Sequence, residues 1–232
     1  MDAAATDSTP LPARPAGFSK LELETTGSGT RAGASRPALV HPPGTGATTE
    51  PLVVFLHGMC AIPEWECPVF VGAAKHAWLL CPPGPAACNG GGRMWIGKDA
   101  QLVGQVRGFS DALETAHSAQ IGRRALVGYS LGAPAALRIA LASPGRYQRL
   151  MIVNASVTPS LAQLEKAQVL RLALVAGDND RTAAKLRRAA GALARAGFEA
   201  RFFSLGPVGH FFDASSARRM EPALLWLTDS MQ

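Results

Sequence analysis

The run Gly128-Tyr129-Ser130-Leu131-Gly132 carries the clearest chemical signal in the chain. It has the G-x-S-x-G pattern, in which a sharp strand-to-helix turn holds a serine hydroxyl exposed and the flanking glycines keep the turn free of side-chain clashes. A serine hydroxyl is a weak nucleophile near neutral pH. It needs a base to take its proton and a third group to orient the base. Of the five histidines, His210 in Val208-Gly209-His210-Phe211 is the best-placed base, because it comes late in the chain between the last apolar strand and the last helix. His41, His76 and His117 fall in a Pro-rich turn, a strand approach and a helix end, and read as structural or surface residues. The acid should lie between nucleophile and base, where Gly177-Asp178-Asn179-Asp180 supplies two competing carboxylates, Asp178 and Asp180. Acyl transfer also needs two backbone N–H groups where charge develops on oxygen. The amide of Leu131, directly after the serine, is one.

These residues need a scaffold, and the apolar pattern describes it. Leu52–Leu56 is a continuous apolar run ending at His57-Gly58. Similar runs recur at 77–80, 125–127, 150–153 and 172–175, with a more polar one at 200–203. Runs without alternation suit strands covered on both faces. Helical spacing appears over 101–118, 131–142, 182–196 and 215–227. Strands alternating with helices predict an α/β class: a doubly wound, mostly parallel sheet with helices on both faces. Phe18–Glu24 alternates and predicts a half-exposed edge strand, and Ala38–His41 a second strand. Residues 1–16 read as a flexible lead and 17–232 as one domain.

In motif content and order, residues 51–230 resemble the α/β-hydrolase fold superfamily. The elbow at Ser130, the His57-Gly58 turn, the Gly177-x-x-Asp180 turn and the Gly209-His210 loop all match landmarks of that family. The resemblance implies a compact serine hydrolase or esterase with Ser130, Asp180 and His210 as its triad. Many members place the acid three residues after such a glycine, which selects Asp180 and leaves Asp178 to cap the turn. It implies Met59 as the second oxyanion donor, with His57 holding that loop. An HGGG run is missing, which departs from the lipase pattern. The gap from Asn154 to Gln168 leaves room for one short helix, so little or no lid is expected.

Loops at the C-terminal edge of an open α/β sheet bind ligands. Tyr129, Met94 and Trp95 are therefore candidate pocket residues, with Trp65 a weaker one. Cys60, Cys67, Cys81 and Cys88 form two pairs at a seven-residue step, Cys60/Cys67 and Cys81/Cys88. Two local disulfides bracing neighbouring loops are the preferred reading, against four unrelated thiols. Disulfides point to a secreted or periplasmic protein, with the cytoplasm as the alternative. The stretch from Met1 to about Pro15 lacks a basic head and apolar core, so no signal peptide is read there; an export signal already removed would reconcile the two.

The composition is that of a globular protein, 47% apolar and 17% charged over 232 residues. No apolar run reaches the ~20 residues of a membrane-spanning helix. The net charge of +6 is dispersed without aromatic interleaving, which argues for a solvated basic surface rather than nucleic-acid binding. With no CxxC and no histidine at finger spacing, no metal is expected, and serine acyl transfer uses no cofactor. The expected partner is a small-molecule or acyl substrate. A carboxylic ester is the first choice by family analogy. A peptidase or amidase, a thioesterase and an acyltransferase share the same triad, and a catalytically silent binding protein shares the same fold.

Overall fold

A computed structural model describes residues 15–23, 36–44 and 49–229. The flexible lead expected over 1–16 lies almost wholly outside the described residues, as does Glu24. The described chain runs β1 (Ser19–Leu21), β2 (Ala38–His41), β3 (Thr49–Leu56), α1 (Pro63–Glu66), a 3-10 helix over Cys67–Lys75 and β4 (Trp78–Cys81). Next come a small ribbon of β5 (Ala86–Ala87) and β6 (Arg93–Met94), α2 (Asp99–His117), β7 (Gln120–Tyr129), α3 (Gly132–Ala142) and β8 (Arg149–Val153). The chain closes with α4 (Leu161–Lys166), β9 (Arg171–Ala176), α5 (Ala183–Arg195), β10 (Glu199–Ser204) and α6 (Ser216–Thr228).

Eight strands form one sheet in the order β1-β2-β4-β3-β7-β8-β9-β10. From β4 to β10 every pairing is parallel, while β1 and β2 pair antiparallel at one edge. Both faces are covered, as the unbroken apolar runs require. In β3, Leu52, Val54 and Leu56 pack into a core with α2, α3 and α5, through Leu102, Phe109, Ile139 and Leu186. Their neighbours Val53 and Phe55 point to the other face and meet Phe70 of the 3-10 helix and Leu224 of α6. The alternation is the two-residue period of a strand, with apolar partners on each side. Burying one such Leu or Phe side chain contributes ~1.5–3 kcal/mol. Among the described residues no helix is long and apolar enough to cross a membrane.

The cysteine pairing differs from the expectation. Cys60 bonds to Cys88 and Cys67 to Cys81, with Cα–Cα separations of 5.6 and 6.1 Å. No free cysteine occurs among the described residues. The local pairs Cys60/Cys67 and Cys81/Cys88 are therefore corrected to crossed pairs. The reason is topological. β3 and β4 are adjacent and parallel, so the segments leaving their C-terminal ends lie side by side, and each cysteine after β3 meets one at or beyond the end of β4. Cys67–Cys81 is buried in the core, whereas Cys60 is exposed. Both bonds are compatible with an oxidising compartment.

Candidate active site

Ser130 lies between the C-terminal end of β7 and the first turn of α3. Its φ is +50°, a left-handed conformation that costs a non-glycine residue energy and has to be held by its surroundings. Its amide donates to the Val153 carbonyl at 3.0 Å, and its carbonyl accepts from Ala133 at 3.2 Å. The flanking glycines are required by close approach. A Cβ on Gly132 would stand 2.1 Å from the Leu56 carbonyl oxygen, and one on Gly128 would stand 2.5 Å from Ala133 Cα.

The other two residues arrive on separate loops. His210 follows β10, and Asp180 follows β9. Ser130 Oγ is 2.8 Å from His210 Nε2, and His210 Nδ1 is 2.6 Å from Asp180 Oδ2. An ionised carboxylate only accepts, so Nδ1 carries the proton and Nε2 turns its lone pair to the serine hydroxyl. The Asp180 side chain is fully buried, while that of His210 is 47% exposed. Burial alone would raise the Asp180 pKa. Hydrogen bonds from the Thr182 hydroxyl (2.6 Å) and amide (2.7 Å), with the His210 bond, outweigh it and hold the carboxyl below its ordinary range. Asp178 sits elsewhere. It accepts from Ser204 Oγ at 2.7 Å, and Arg187 comes within 3.5 Å.

Three residues that the sequence did not single out complete this framework. Thr182 orients Asp180 as described. Asn154, fully buried at the end of β8, accepts from the Gly177 amide at 3.0 Å and donates to the Gly209 carbonyl at 3.4 Å. It therefore ties the acid loop to the histidine loop. Its position directly after an apolar strand, at the edge where loops bind ligands, was the available signal. Glu66 accepts from the Gly58 amide at 2.8 Å and so braces the loop that precedes Met59.

His57 is fully buried behind the same loop. Its Nε2 accepts from the Gly84 amide at 3.0 Å, which leaves Nδ1–H to donate to the Gly58 carbonyl at 2.8 Å. Burial drives its pKa from 6.5 down to about 4, and burial pushes Glu66 from 4.5 up to about 7 against the opposing Gly58 hydrogen bond. The consequences for stability have opposite signs. The His57 contribution is fully present above pH 6.5 and is lost as the pH falls toward 4. The Glu66 contribution is fully present below pH 4.5 and is lost as the pH rises through about 7. The difference in Tm between Glu66→Gln and wild type should therefore grow from pH 4.5 to about 7 and then level off. A Tm difference independent of pH would contradict this account of Glu66.

Met59, Ser130, Leu131, Pro134, Asn154, Ala155, Ser156, Val157, Arg181, Thr182 and His210 line an open cleft of about 500 Å³. The Met59 and Leu131 amides are not spent on hydrogen bonds to other described residues. The remaining pocket candidates do not line the cleft. Trp95 is 2% exposed and packs in the core, 5.7 Å from the His57 ring, and Met94 pairs with Ala86 in the β5–β6 ribbon. The pocket-wall expectation for Met94 and Trp95 is thus corrected: the loop folds back against the sheet and buries the indole, whose Nε1 finds no hydrogen-bond partner among the described residues. Tyr129 lies behind the histidine. Its hydroxyl donates to the His210 carbonyl at 3.0 Å and its ring stacks on the imidazole at 5.6 Å. Burial, then the nearby Glu66 and Asp180, raise its pKa and keep it protonated as a donor. Trp65 is 59% exposed and lies outside the cleft lining. The segment between β8 and β9 holds only α4, in line with the short gap expected there.

This sheet order, with the serine elbow after β7 and the acid and histidine loops after β9 and β10, is the α/β-hydrolase fold, and solved structures confirm it. S-formylglutathione hydrolase from Agrobacterium tumefaciens superposes with a TM-score of 0.61 at 16% identity, covering 84% of this chain and 90% of that one. Est1E from Butyrivibrio proteoclasticus gives 0.58 at 11% identity, covering 91% and 98%. Poly(aspartic acid) hydrolase-1 from Sphingomonas sp. KT-1 gives 0.59 at 16% identity, covering 94% and 100%. No family model and no curated protein matches the sequence.

Proposed function

We propose that the chain is a serine hydrolase that cleaves carboxylic esters through an acyl-enzyme on Ser130. The observation that carries this reading is the unbroken chain of hydrogen bonds from Ser130 Oγ through His210 to buried Asp180, opening on a solvent-accessible cleft. His210 Nε2 takes the hydroxyl proton as Oγ attacks the substrate carbonyl. The Leu131 and Met59 amides hold the oxyanion, and His210 then protonates the leaving group. Water repeats the sequence on the acyl-enzyme with the same base. Tyr129 and Asn154 hold the histidine loop, and Thr182 keeps Asp180 aimed at Nδ1.

The solved structures named as an esterase, a carboxylesterase and an S-formylglutathione hydrolase favour an ester or thioester carbonyl. A second reading, amide cleavage, is favoured by the likeness to poly(aspartic acid) hydrolase-1. The whole of 17–232 is taken as one catalytic domain. The two disulfides favour a secreted or periplasmic setting. A panel of p-nitrophenyl esters and aminoacyl anilides separates the readings. Saturable turnover of the esters, with anilides cleaved far more slowly, is expected. Activity on anilides alone would replace the ester reading with the amidase one.

A further inference from the structure

Arg181 gives the cleft a charge that the proposed chemistry does not use. It directly follows Asp180, is exposed, and lines the same cleft as Ser130, Leu131 and His210. Among the described residues no hydrogen bond, ion pair or ring contact engages its guanidinium. The exposed arginine at 187 does have partners, Asp178 and the Phe202 ring. Among the described residues no aspartate or glutamate lines the cleft, and Asp180 is sealed behind His210 by Thr182. A second cation stands at the rim, where Lys185 Nζ donates to the carbonyl of cleft residue Ser156 at 2.6 Å. Five of the lining residues, Met59, Leu131, Pro134, Ala155 and Val157, are apolar and form an aliphatic wall, with the polar Asn154, Ser156 and Thr182 beside it.

We infer that the substrate is an amphipathic ester bearing a carboxylate, with its apolar part on the aliphatic wall and its carboxylate on Arg181. This rests on the ester reading above and adds the substrate class to it. A free guanidinium presents a planar fork of donors that matches a carboxylate bidentately. Its field, in a cleft whose described lining holds no carboxylate side chain and on a chain of net charge +6, also draws anions in.

The test compares two substrates with the same acyl chain, the mono-p-nitrophenyl ester of adipate and the same molecule with its free carboxyl capped as a methyl ester. Wild type should favour the anionic ester in kcat/KM by roughly tenfold. That ratio should collapse toward one in Arg181→Met and be partly retained in Arg181→Lys. It should also shrink as ionic strength rises, a readout that needs no variant to fold. Arg195→Met makes the same change in net charge at the far end of α5, ~20 Å along the helix, and should keep the wild-type ratio. Cleavage of both esters with a ratio near one in wild type, or with a ratio untouched by Arg181→Met, overturns the inference and leaves the ester reading standing. Release of p-nitrophenolate from neither ester overturns the ester reading and the inference together.

Discussion

Ser130→Ala is expected to lower kcat on a p-nitrophenyl ester by ~10⁴- to 10⁶-fold, with Tm close to that of wild type. The loss follows from the covalent step. Without Oγ no acyl-enzyme forms, and only the oxyanion donors and substrate binding remain to accelerate direct attack by water. The stability forecast follows from local structure. The Ser130 backbone is tied to Val153 and Ala133, whereas its hydroxyl makes, among the described residues, one hydrogen bond, to His210, itself half exposed. Alanine keeps the Cβ that pays for a φ of +50°, so the strain of the turn is unchanged. Steady-state kinetics and a thermal melt on the same preparation check both statements. A loss below tenfold would mean that another group carries the chemistry.

Asp180→Asn should cost about 10⁴-fold in kcat, against a change of no more than a few-fold for Asp178→Asn. The asymmetry rests on Thr182. Its hydroxyl and amide both donate to Oδ1 of Asp180, so an asparagine there is held with its carbonyl oxygen toward Thr182 and its NH₂ toward His210. The imidazole must then accept at Nδ1 and carry its proton on Nε2, the nitrogen that has to take the serine proton. The geometry survives but the tautomer is wrong. Asp178 contacts Ser204 and Arg187, and neither group reaches the serine. Equal and mild losses in the two variants would contradict the assignment of the acid.

Much of this arrangement was legible in the sequence because it is local. Unbroken apolar runs such as Leu52–Leu56 suit strands covered on both faces, and the core divides along them, with Val54 on one side and Phe55 on the other. Glycines two residues either side of Ser130 announced the turn. What stayed illegible depends on which strands become neighbours. The regular seven-residue step suggested local disulfides, but the adjacency of β3 and β4 crosses the pairs. Trp95 looked like a pocket wall until the return of its loop against His57 placed it in the core. Asn154, Thr182 and Glu66 are ordinary polar residues in sequence. Their importance comes from the groups they meet: the Gly177 amide for Asn154, the Asp180 carboxylate for Thr182 and the Gly58 amide for Glu66.

The central claim is that Ser130 is an activated nucleophile, and covalent labelling reaches it without any assumption about substrate. Folded protein treated with a fluorophosphonate and analysed by intact and peptide mass spectrometry should gain one phosphonyl group, located on Ser130. Labelling should vanish in Ser130→Ala and fall sharply in Asp180→Asn. No adduct on folded protein, or an adduct at another serine that persists in Ser130→Ala, would contradict the account and favour a hydrolase-like fold that binds without catalysis.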